Sequence, residues 1–152
     1  MVGRPARLLA GAIAEYEARA ARYWNLEVVE VKEERAGKGS PVARVLEAEG
    51  ERLMQRVAPG AEIVALTRTG ARWSSKRLAQ EIEERSARGR SELAFIIGGA
   101  FGLAPAVLER AAVRLSLSPL TLTHELARLV LAEQLYRAGT IVRGEPYHKA
   151  EE

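Results

Sequence analysis

The sequence contains no cysteine among its 152 residues. Disulfide bonds, zinc sites built on thiolates and cysteine nucleophiles are therefore excluded. Histidine is nearly absent too: only His124 and His148 are present, and they lack the H-E-x-x-H spacing that places two metal ligands on one helix face. We expect no metal site, and a composition without cysteine is compatible with a reducing cytoplasm, where we expect the protein to act.

No hydrophobic run is long enough to cross a membrane. The apolar stretch near the N-terminus carries Arg4 and Arg7 and is interrupted by Glu15 and Glu17. That pattern fits neither the core of a signal peptide nor a spanning helix, so we expect no membrane role. The net charge of +3 is compatible with a polyanionic partner, but many proteins with such a charge bind none.

The usual phosphate-binding fingerprints are also missing. Neither G-x-G-x-x-G nor G-x-x-x-x-G-K-[ST] occurs, so these motifs give no support for a dinucleotide or a nucleoside triphosphate. A glycine loop, Gly98-Gly99-Ala100-Phe101-Gly102, does follow the apolar run 93–97. Ligands of open α/β sheets gather beyond the carboxyl ends of the strands, which favours a pocket there. A simple tight turn between strand and helix explains the same glycines, and both interpretations stay open at this point.

The length and the 47% hydrophobic content suffice for one sizeable core. Without an internal repeat or a linker, we expect a single domain over residues 1–152. Helical spacing of apolar residues predicts a first helix through Leu9 and Tyr23, and a second from an N-cap at Ser40 to Val57. A third helix is predicted after a cap at Ser74 or Ser75, a fourth around Pro105, and a long one from Thr123 through Arg137. Strands are predicted at 26–31, 63–66, 93–97 and 113–118, which indicates a parallel sheet in an α/β sandwich.

Four motifs carry a family resemblance. They are the strand followed by G-G-x-x-G at Gly98–Gly102, S-x-x-T-x-x-H-x-L-x-R from Ser118 to Arg128, E-Q-L-Y-R-A from Glu133, and the terminal Y-H-K at Tyr147. In order and spacing they resemble the ribosomal RNA large subunit methyltransferase H family, which are small SPOUT enzymes. The resemblance is weakest at Met1-Val2-Gly3-Arg4, where few residues remain for the apolar first strand of related proteins, so we expect that strand to be short.

The resemblance implies an α/β fold with a C-terminal deep trefoil knot, a homodimer and S-adenosylmethionine as cofactor. It implies methylation of N3 of a pseudouridine in 23S ribosomal RNA, with the assembled ribosome as substrate. The cofactor residues it implies are Leu66, Gly99, Ser118, Pro119, Leu120, Thr121, Leu122 and Thr123. For the leucines, ordinary core packing is the alternative.

Methylation at N3 requires loss of a proton from the base, which a basic side chain assists. His148 is the first candidate, because the family places this segment near the partner's cofactor; Arg137 and Tyr147 complete the catalytic set. His124, Arg143 and Lys149 are the expected substrate contacts. Structural alternatives are an exposed tail for His148, capping or packing for His124, and a salt bridge to Glu133 for an arginine of the last helix.

Two other functions remain open from the sequence. One is a ribosome-associated binding module that has kept the fold without catalysis, and the other is a SPOUT methyltransferase acting on transfer RNA. The apolar face of the last helix at Leu126 and Val130 is expected to contact a second subunit.

Overall fold

The computed structural model describes residues 1–37, 39–89 and 92–147. Helices and strands alternate along these residues in the order α1 (Arg7–Ala20), α2 (Val42–Met54), β1 (Glu62–Arg72), α3 (Ser75–Ala87), β2 (Leu93–Ile96), α4 (Pro105–Arg110), β3 (Val113–Ser116) and α5 (His124–Val142). The predicted helices are all present. α2 ends at Met54, before Val57, and α5 continues past Arg137 to Val142.

The three strands form a parallel sheet in the order β2-β1-β3. The sheet is regular on the β2 side, where Glu62 to Ala65 lie opposite Leu93 to Ile96. On the β3 side the register breaks, because Leu66 and Ala71 both lie opposite Leu115. At Gly70, next to this break, a Cβ would come within 2.5 Å of the Arg114 carbonyl, so only glycine permits the approach.

Helices cover both faces of the sheet, as a parallel sheet requires. One face is buried beneath α2 and α4 through Leu53, Ile63, Ala65, Ile96 and Val107. The other is buried beneath α1, α3 and α5 through Ala20, Leu78, Ile82, Ile97, Leu131 and Leu135. Each large side chain buried in this way contributes about 1.5–3 kcal/mol. The predicted α/β sandwich with a parallel sheet is confirmed.

Two of the three predicted helix caps are confirmed. Ser74 accepts a hydrogen bond from the Arg77 amide at 3.1 Å, and Thr123 accepts one from the Leu126 amide at 3.3 Å. The prediction of Ser40 as a cap is wrong. The N-cap of α2 is Pro41, without a side-chain hydrogen bond, and the Ser40 amide instead closes a turn onto the carbonyl of Gly37.

The predicted strand at 26–31 is also wrong. This segment joins a neighbour at a single parallel bridge, between Val2 and Val31. β-Branched residues such as Val28 and Val29 favour an extended backbone, but a strand needs a paired neighbour along its length. Here residues 1–3 supply only a short one. No helix among the described residues is long and apolar enough to cross a membrane.

Candidate active site

An open pocket of about 1500 Å³, which includes space open to solvent, lies beyond the carboxyl ends of β2 and β3. Three stretches of chain provide most of its lining: residues 66–69 of β1, beyond the part that pairs with β2, the glycine loop after β2, and the loop between β3 and α5. The lining residues are 66–69, 97–103, 108, 114, 117–118, 120–122, 124 and 127. This is the position at which open α/β sheets bind ligands, so the pocket is the candidate active site.

The glycine loop has no room for side chains at two positions. A Cβ at Gly98 would come within 2.2 Å of the Gly102 carbonyl oxygen. A Cβ at Gly99 would lie 2.7 Å from Glu49 Oε2 and 3.1 Å from Val2. Gly102 has a φ of +89°, in the region that favours glycine. The other side of the loop packs against Glu49 and leaves no room for a Cβ. The loop therefore lines the pocket with backbone at these positions.

The Glu49 side chain is 3% exposed, and one of its oxygens accepts a hydrogen bond from the Glu34 amide at 3.0 Å. The other oxygen, Oε2, has no hydrogen-bond partner among the described residues. A buried carboxylate oxygen without a partner is costly, which makes the contact between Glu49 and the glycine loop a sensitive point of the fold.

The loop after β3 is held by its own polar groups. The Ser116 hydroxyl lies 2.9 Å from the Arg68 carbonyl and 3.0 Å from the Ser118 carbonyl, and donates to one of them at a time. Ser118 Oγ accepts a hydrogen bond from the Leu120 amide at 3.0 Å. Arg68 donates to Thr121 Oγ1 at 3.4 Å. These contacts fix an irregular loop whose leucines, Leu120 and Leu122, line the pocket.

The pocket also contains a polar group without a partner. The Thr67 hydroxyl is buried and has no hydrogen-bond partner among the described residues, and Thr67 lines the pocket beside Leu66. Leu66, Leu117, Leu120 and Leu122 provide apolar surface around it. Apolar walls with few polar groups are typical of sites for small organic ligands. Among the described residues, no group of three or more His, Asp or Glu side chains could hold a metal ion.

A second group of predicted site residues lies on the helical face formed by α1 and α5. The rings of Tyr136 and Tyr147 are 4.5 Å apart, and the Arg137 guanidinium lies 4.9 Å from the centre of the Tyr147 ring. Both Arg137 and the Tyr147 hydroxyl hydrogen-bond Glu133 Oε1, at 2.5 and 3.1 Å. The predicted alternative for an arginine of this helix, a salt bridge to Glu133, is confirmed for Arg137.

Burial, together with hydrogen bonding to Tyr16 and the negative charge of Glu133, raises the pKa of Tyr147 to about 12. The hydrogen bond to Glu133 raises the pKa of Arg137 above its usual value. At neutral pH the tyrosine is therefore neutral and the arginine is charged. Both act as hydrogen-bond donors, and neither can accept a proton there.

This tyrosine–arginine cluster, defined as Tyr136, Arg137, Arg143 and Tyr147, does not line the pocket. His124, at the pocket, and Arg137 lie 13 residues apart on α5. At 1.5 Å per residue, this corresponds to roughly 20 Å along the helix axis. Within one chain, the pocket and the cluster are therefore separated by most of the length of α5.

Comparison with known proteins gives one family. A profile described as "Predicted SPOUT methyltransferase" matches residues 1–148. The chain belongs to the SPOUT methyltransferase family. A Gemmatimonas aurantiaca protein named "Ribosomal RNA large subunit methyltransferase H" is 53% identical over 150 residues, covering 98% of this chain and 96% of the relative. An Anaeromyxobacter relative of the same name is 49% identical over 142 residues, covering 93% and 91%.

Family membership agrees with the predicted fold class, and it implies the trefoil knot of SPOUT proteins. In this SPOUT methyltransferase the pocket brings together most of the predicted cofactor residues: Leu66, Gly99, Ser118, Leu120, Thr121 and Leu122 all line it, as does His124. Pro119 and Thr123 belong to the same loop but do not line the pocket, and Thr123 is used as the cap of α5. His148 and Lys149 lie outside the described residues.

The surroundings of His124 agree with the packing alternative, while its role as a substrate contact stays a prediction. Its ring packs against Gly3, since a Cβ at Gly3 would come within 3.2 Å of Nε2. Nε2 also lies 3.9 Å from Glu125 Oε1. The helix cap is Thr123, so the capping alternative for His124 is wrong. His124 is a packed histidine at the rim of the pocket.

Sequence reasoning did not single out several pocket residues, among them Thr67, Arg68 and Arg114. Thr67 and Arg68 directly follow the predicted strand 63–66, and polar residues at the carboxyl end of a parallel strand are a signal that could have found them. Arg114 gave no such signal, because it lies within β3 and not after its end, and its guanidinium donates to the Leu108 carbonyl. Phe101, in the glycine loop, is 48% exposed.

Proposed function

We propose that this chain is an S-adenosylmethionine-dependent methyltransferase acting on N3 of a pseudouridine in 23S ribosomal RNA. The observation that carries the proposal is the pocket in which Leu66, the glycine loop and the loop after β3 converge. The names of the relatives from Gemmatimonas and Anaeromyxobacter support ribosomal RNA as the substrate. We further propose that residues 1–152 act as one domain in the cytoplasm, with the assembled ribosome as substrate.

The pocket residues fit the proposed cofactor. Leu66, Leu120 and Leu122 offer apolar surface for a purine ring, and the bare backbone at Gly99 allows close approach. The Thr67 hydroxyl, which is buried and has no partner among the described residues of the ligand-free chain, rotates to donate a hydrogen bond to the cofactor, and backbone groups of the loop 118–123 meet its other polar edges. When bound, S-adenosylmethionine supplies an activated methyl group on a sulfonium.

The chain's own task is to position the base and to manage the proton on N3. Arg137 is charged and stabilises negative charge that develops on the base. Tyr147 stays neutral because its pKa is raised to about 12, so it contributes a donor or a stacking surface. That assignment leaves His148 as the proposed proton acceptor, since a histidine titrates near neutral pH.

The helical face around the cluster has the chemistry expected for RNA. Arginine guanidinium groups lie over tyrosine rings, with Arg143 at 4.5 Å from the centre of Tyr23 and Arg19 at 5.2 Å from the centre of Tyr16. Arginines bind phosphates, and exposed rings stack on unpaired bases. We propose that Arg143, Lys149 and His124 contact the RNA substrate.

We propose a homodimer, because a second subunit can bring a cluster next to the pocket. If the cluster of one subunit faces the pocket of its partner, all proposed site residues serve one reaction despite the roughly 20 Å within a chain. Exposed apolar residues support such an interface: Leu126 is 39% exposed, Val130 is 36% exposed, and Leu120, in the pocket loop, is 72% exposed.

The decisive experiment measures transfer of labelled methyl from S-adenosylmethionine to ribosomes from a strain that lacks this gene. Label in a pseudouridine of 23S ribosomal RNA is the expected result. His148→Ala should lower turnover about a hundredfold or more while leaving cofactor affinity nearly unchanged. Arg88→Ala is the matched control, because Arg88 is an exposed residue at the end of α3 paired with Glu84.

Two outcomes would contradict the proposed activity, and a third would contradict only the role of His148. Cofactor binding without transfer to any RNA would indicate a binding module. Label in transfer RNA would indicate a different substrate. Label in ribosomal RNA with full turnover by His148→Ala would leave the methylation intact and remove His148 from the mechanism.

A further inference from the structure

The candidate pocket carries two positive charges that the proposed transfer reaction does not use. Arg68 and Arg114 both line it, and both are exposed to solvent. Neither forms an ion pair with a carboxylate among the described residues, and no described residue that lines the pocket is acidic. Two guanidinium groups without a counter-ion at one pocket attract an anion.

Arg68 reaches the pocket because β1 leaves the regular ladder for a few residues. Its register against β3 breaks between Leu66 and Ala71, so residues 67–70 bulge out of the sheet. The Arg68 side chain extends from this bulge to the loop after β3, where it donates to Thr121 Oγ1 at 3.4 Å. A hydrogen bond of that length holds the guanidinium only weakly, so it remains able to bind a ligand.

The Arg114 guanidinium is held by a backbone carbonyl. Arg114 lies in β3 opposite Ala65 of β1, and it donates to the Leu108 carbonyl from Nε at 3.3 Å and from Nη2 at 3.1 Å. A guanidinium has more N–H donors than these two bonds use, and Nη1 has no partner in the described part of the chain. The carbonyl therefore orients the planar group and leaves donors for an anion.

A half-exposed aromatic ring lines the same pocket. Phe101 is 48% exposed and lies in a turn of the glycine loop. The turn is closed by a hydrogen bond from the Gly102 amide to the Gly99 carbonyl at 3.1 Å. Because this bond fixes the backbone that carries the ring, little conformational freedom is lost when the ring binds a partner. Exposed aromatic rings of this kind stack on unpaired bases.

The burial of the lining residues separates this group from the proposed cofactor contacts. Leu66, Gly99 and Leu122 are half-buried, whereas the two arginines and Phe101 are exposed and so lie toward the mouth of the pocket.

The charge of the cofactor also favours an RNA anion at the two arginines. S-adenosylmethionine has a net positive charge at neutral pH, because its sulfonium and ammonium groups outnumber its single carboxylate. Two further positive charges nearby disfavour its binding, and a phosphate between them reduces that repulsion. An RNA strand supplies phosphates next to bases that can stack. Of the two anions, phosphate therefore fits the mouth of the pocket better than the cofactor carboxylate.

We infer that Arg68, Phe101 and Arg114 form a nucleotide-binding subsite at the mouth of the pocket. It binds an unpaired nucleotide of the RNA beside the methylated one: the arginines bind phosphate groups, and Phe101 stacks on the base. The inference rests on the proposed function, because it takes RNA as the substrate. Every base offers a face for stacking, so the subsite contributes affinity and positioning and does not read the base sequence.

The test measures cosedimentation of the protein with ribosomes from a strain that lacks this gene, over a range of salt concentrations. Phe101→Ala and Phe101→Leu should each weaken binding about tenfold without changing the salt dependence, whereas Phe101→Trp should bind like the wild type. Arg68→Gln and Arg114→Gln should each weaken binding about tenfold. Each should also reduce the slope of log K against log salt concentration by roughly 0.7, because one phosphate contact is lost.

Arg88→Gln is the matched control for loss of a positive charge. Because α3 returns from the carboxyl end of β1 to the amino end of β2, Arg88 lies at the end of the sheet away from the pocket. Its variant should bind ribosomes with the affinity and the salt dependence of the wild type. Calorimetric titration with S-adenosylmethionine should give the wild-type Kd for every variant. The Tm of each variant should stay close to that of the wild type, since the substituted side chains are exposed.

Wild-type ribosome affinity in the Ala and Gln variants would overturn the subsite and leave the proposed methylation intact. Weaker S-adenosylmethionine binding with unchanged ribosome binding would overturn it as well, because the arginines would then bind the cofactor carboxylate. An unchanged salt slope in both arginine variants would overturn the phosphate contacts. If the wild type binds ribosomes but transfers no methyl, weaker binding by the variants still supports the subsite, and only the proposed reaction fails. A wild type that binds no ribosomes would overturn both.

Discussion

Glu49 packs against Gly99 on the side of the glycine loop away from the pocket: a Cβ at Gly99 would lie 2.7 Å from Glu49 Oε2. The contact joins α2 to the glycine loop, so a residue of the buried helical layer determines how the loop faces a ligand. The sequence separation is 50 residues, and no local pattern connects the two positions.

Gly99→Ala is expected to destabilise the protein by about 1–3 kcal/mol, because the added methyl overlaps a buried carboxylate and Val2. Cofactor affinity should fall as well, measured by calorimetric titration with S-adenosylmethionine. Gly11→Ala is the control: Gly11 lies in α1 with nothing within 4 Å of a Cβ, and alanine there should stabilise by about 0.5–1 kcal/mol. The double variant with Glu49→Ala should recover part of the loss. Full additivity would contradict the contact.

Thr67→Val should weaken S-adenosylmethionine binding about tenfold while leaving the ligand-free protein as stable or slightly more stable. The valine keeps the shape and removes a buried hydroxyl that has no partner among the described residues. Thr140→Val is the matched contrast, because the buried Thr140 hydroxyl donates to the Arg137 carbonyl at 2.7 Å. That change should destabilise by about 1 kcal/mol. Unaltered cofactor affinity in Thr67→Val would remove this hydroxyl from the site.

The composite site of the proposed dimer can be tested by mixing two inactive variants. Leu66→Arg blocks the pocket, and Arg137→Ala removes one of the two guanidinium groups of the cluster. After dissociation and random reassociation, half of the dimers are mixed and each has one intact site of two, so about a quarter of wild-type activity should return. The reassociated mixture must be assayed at a concentration at which the protein elutes as a dimer. No recovery would show that pocket and cluster do not act across subunits.

The Tyr147 hydroxyl should ionise about two pH units above an ordinary tyrosine, since its pKa is raised to about 12. Because the folded pKa exceeds the unfolded one, this tyrosine's contribution to stability is complete below about pH 10 and is lost as pH rises toward 12. Ultraviolet titration of the wild type against Tyr147→Phe measures the difference directly. Ionisation of Tyr147 should not change methyltransferase activity between about pH 6 and pH 8, because the tyrosine stays neutral there. A normal pKa would contradict the contacts with Tyr16 and Glu133.

Local sequence rules predicted the helices and the three strands of the sheet, because their signals are local. The side-chain caps at Ser74 and Thr123 follow from residue type, and the buried strands follow from unbroken apolar runs. The segment 26–31 was the failure. Its composition favours an extended backbone, but whether such a backbone becomes a strand depends on a neighbour that is distant in sequence.

Some residues of the candidate pocket could likewise be predicted from local sequence, and others could not. The glycine loop and the S-P-L-T loop carried recognisable motifs, and both line the pocket. Thr67 and Arg68 carried only a weak signal, and Glu49 carried none, because a buried glutamate in a helix looks like any solvated one. The proposed roles of Arg137, Tyr147 and His148 stay predictions.

By itself the sequence determined the class of fold, the family and the loops that form the pocket, since periodicity, glycine spacing and motif order are properties of neighbouring residues. Only the tertiary structure decided which side chains meet across the chain. It placed Glu49 against Gly99 and separated the tyrosine–arginine cluster from the pocket by most of the length of α5. Each of these depends on packing between distant segments, and the free energy of such contacts has no counterpart in local sequence.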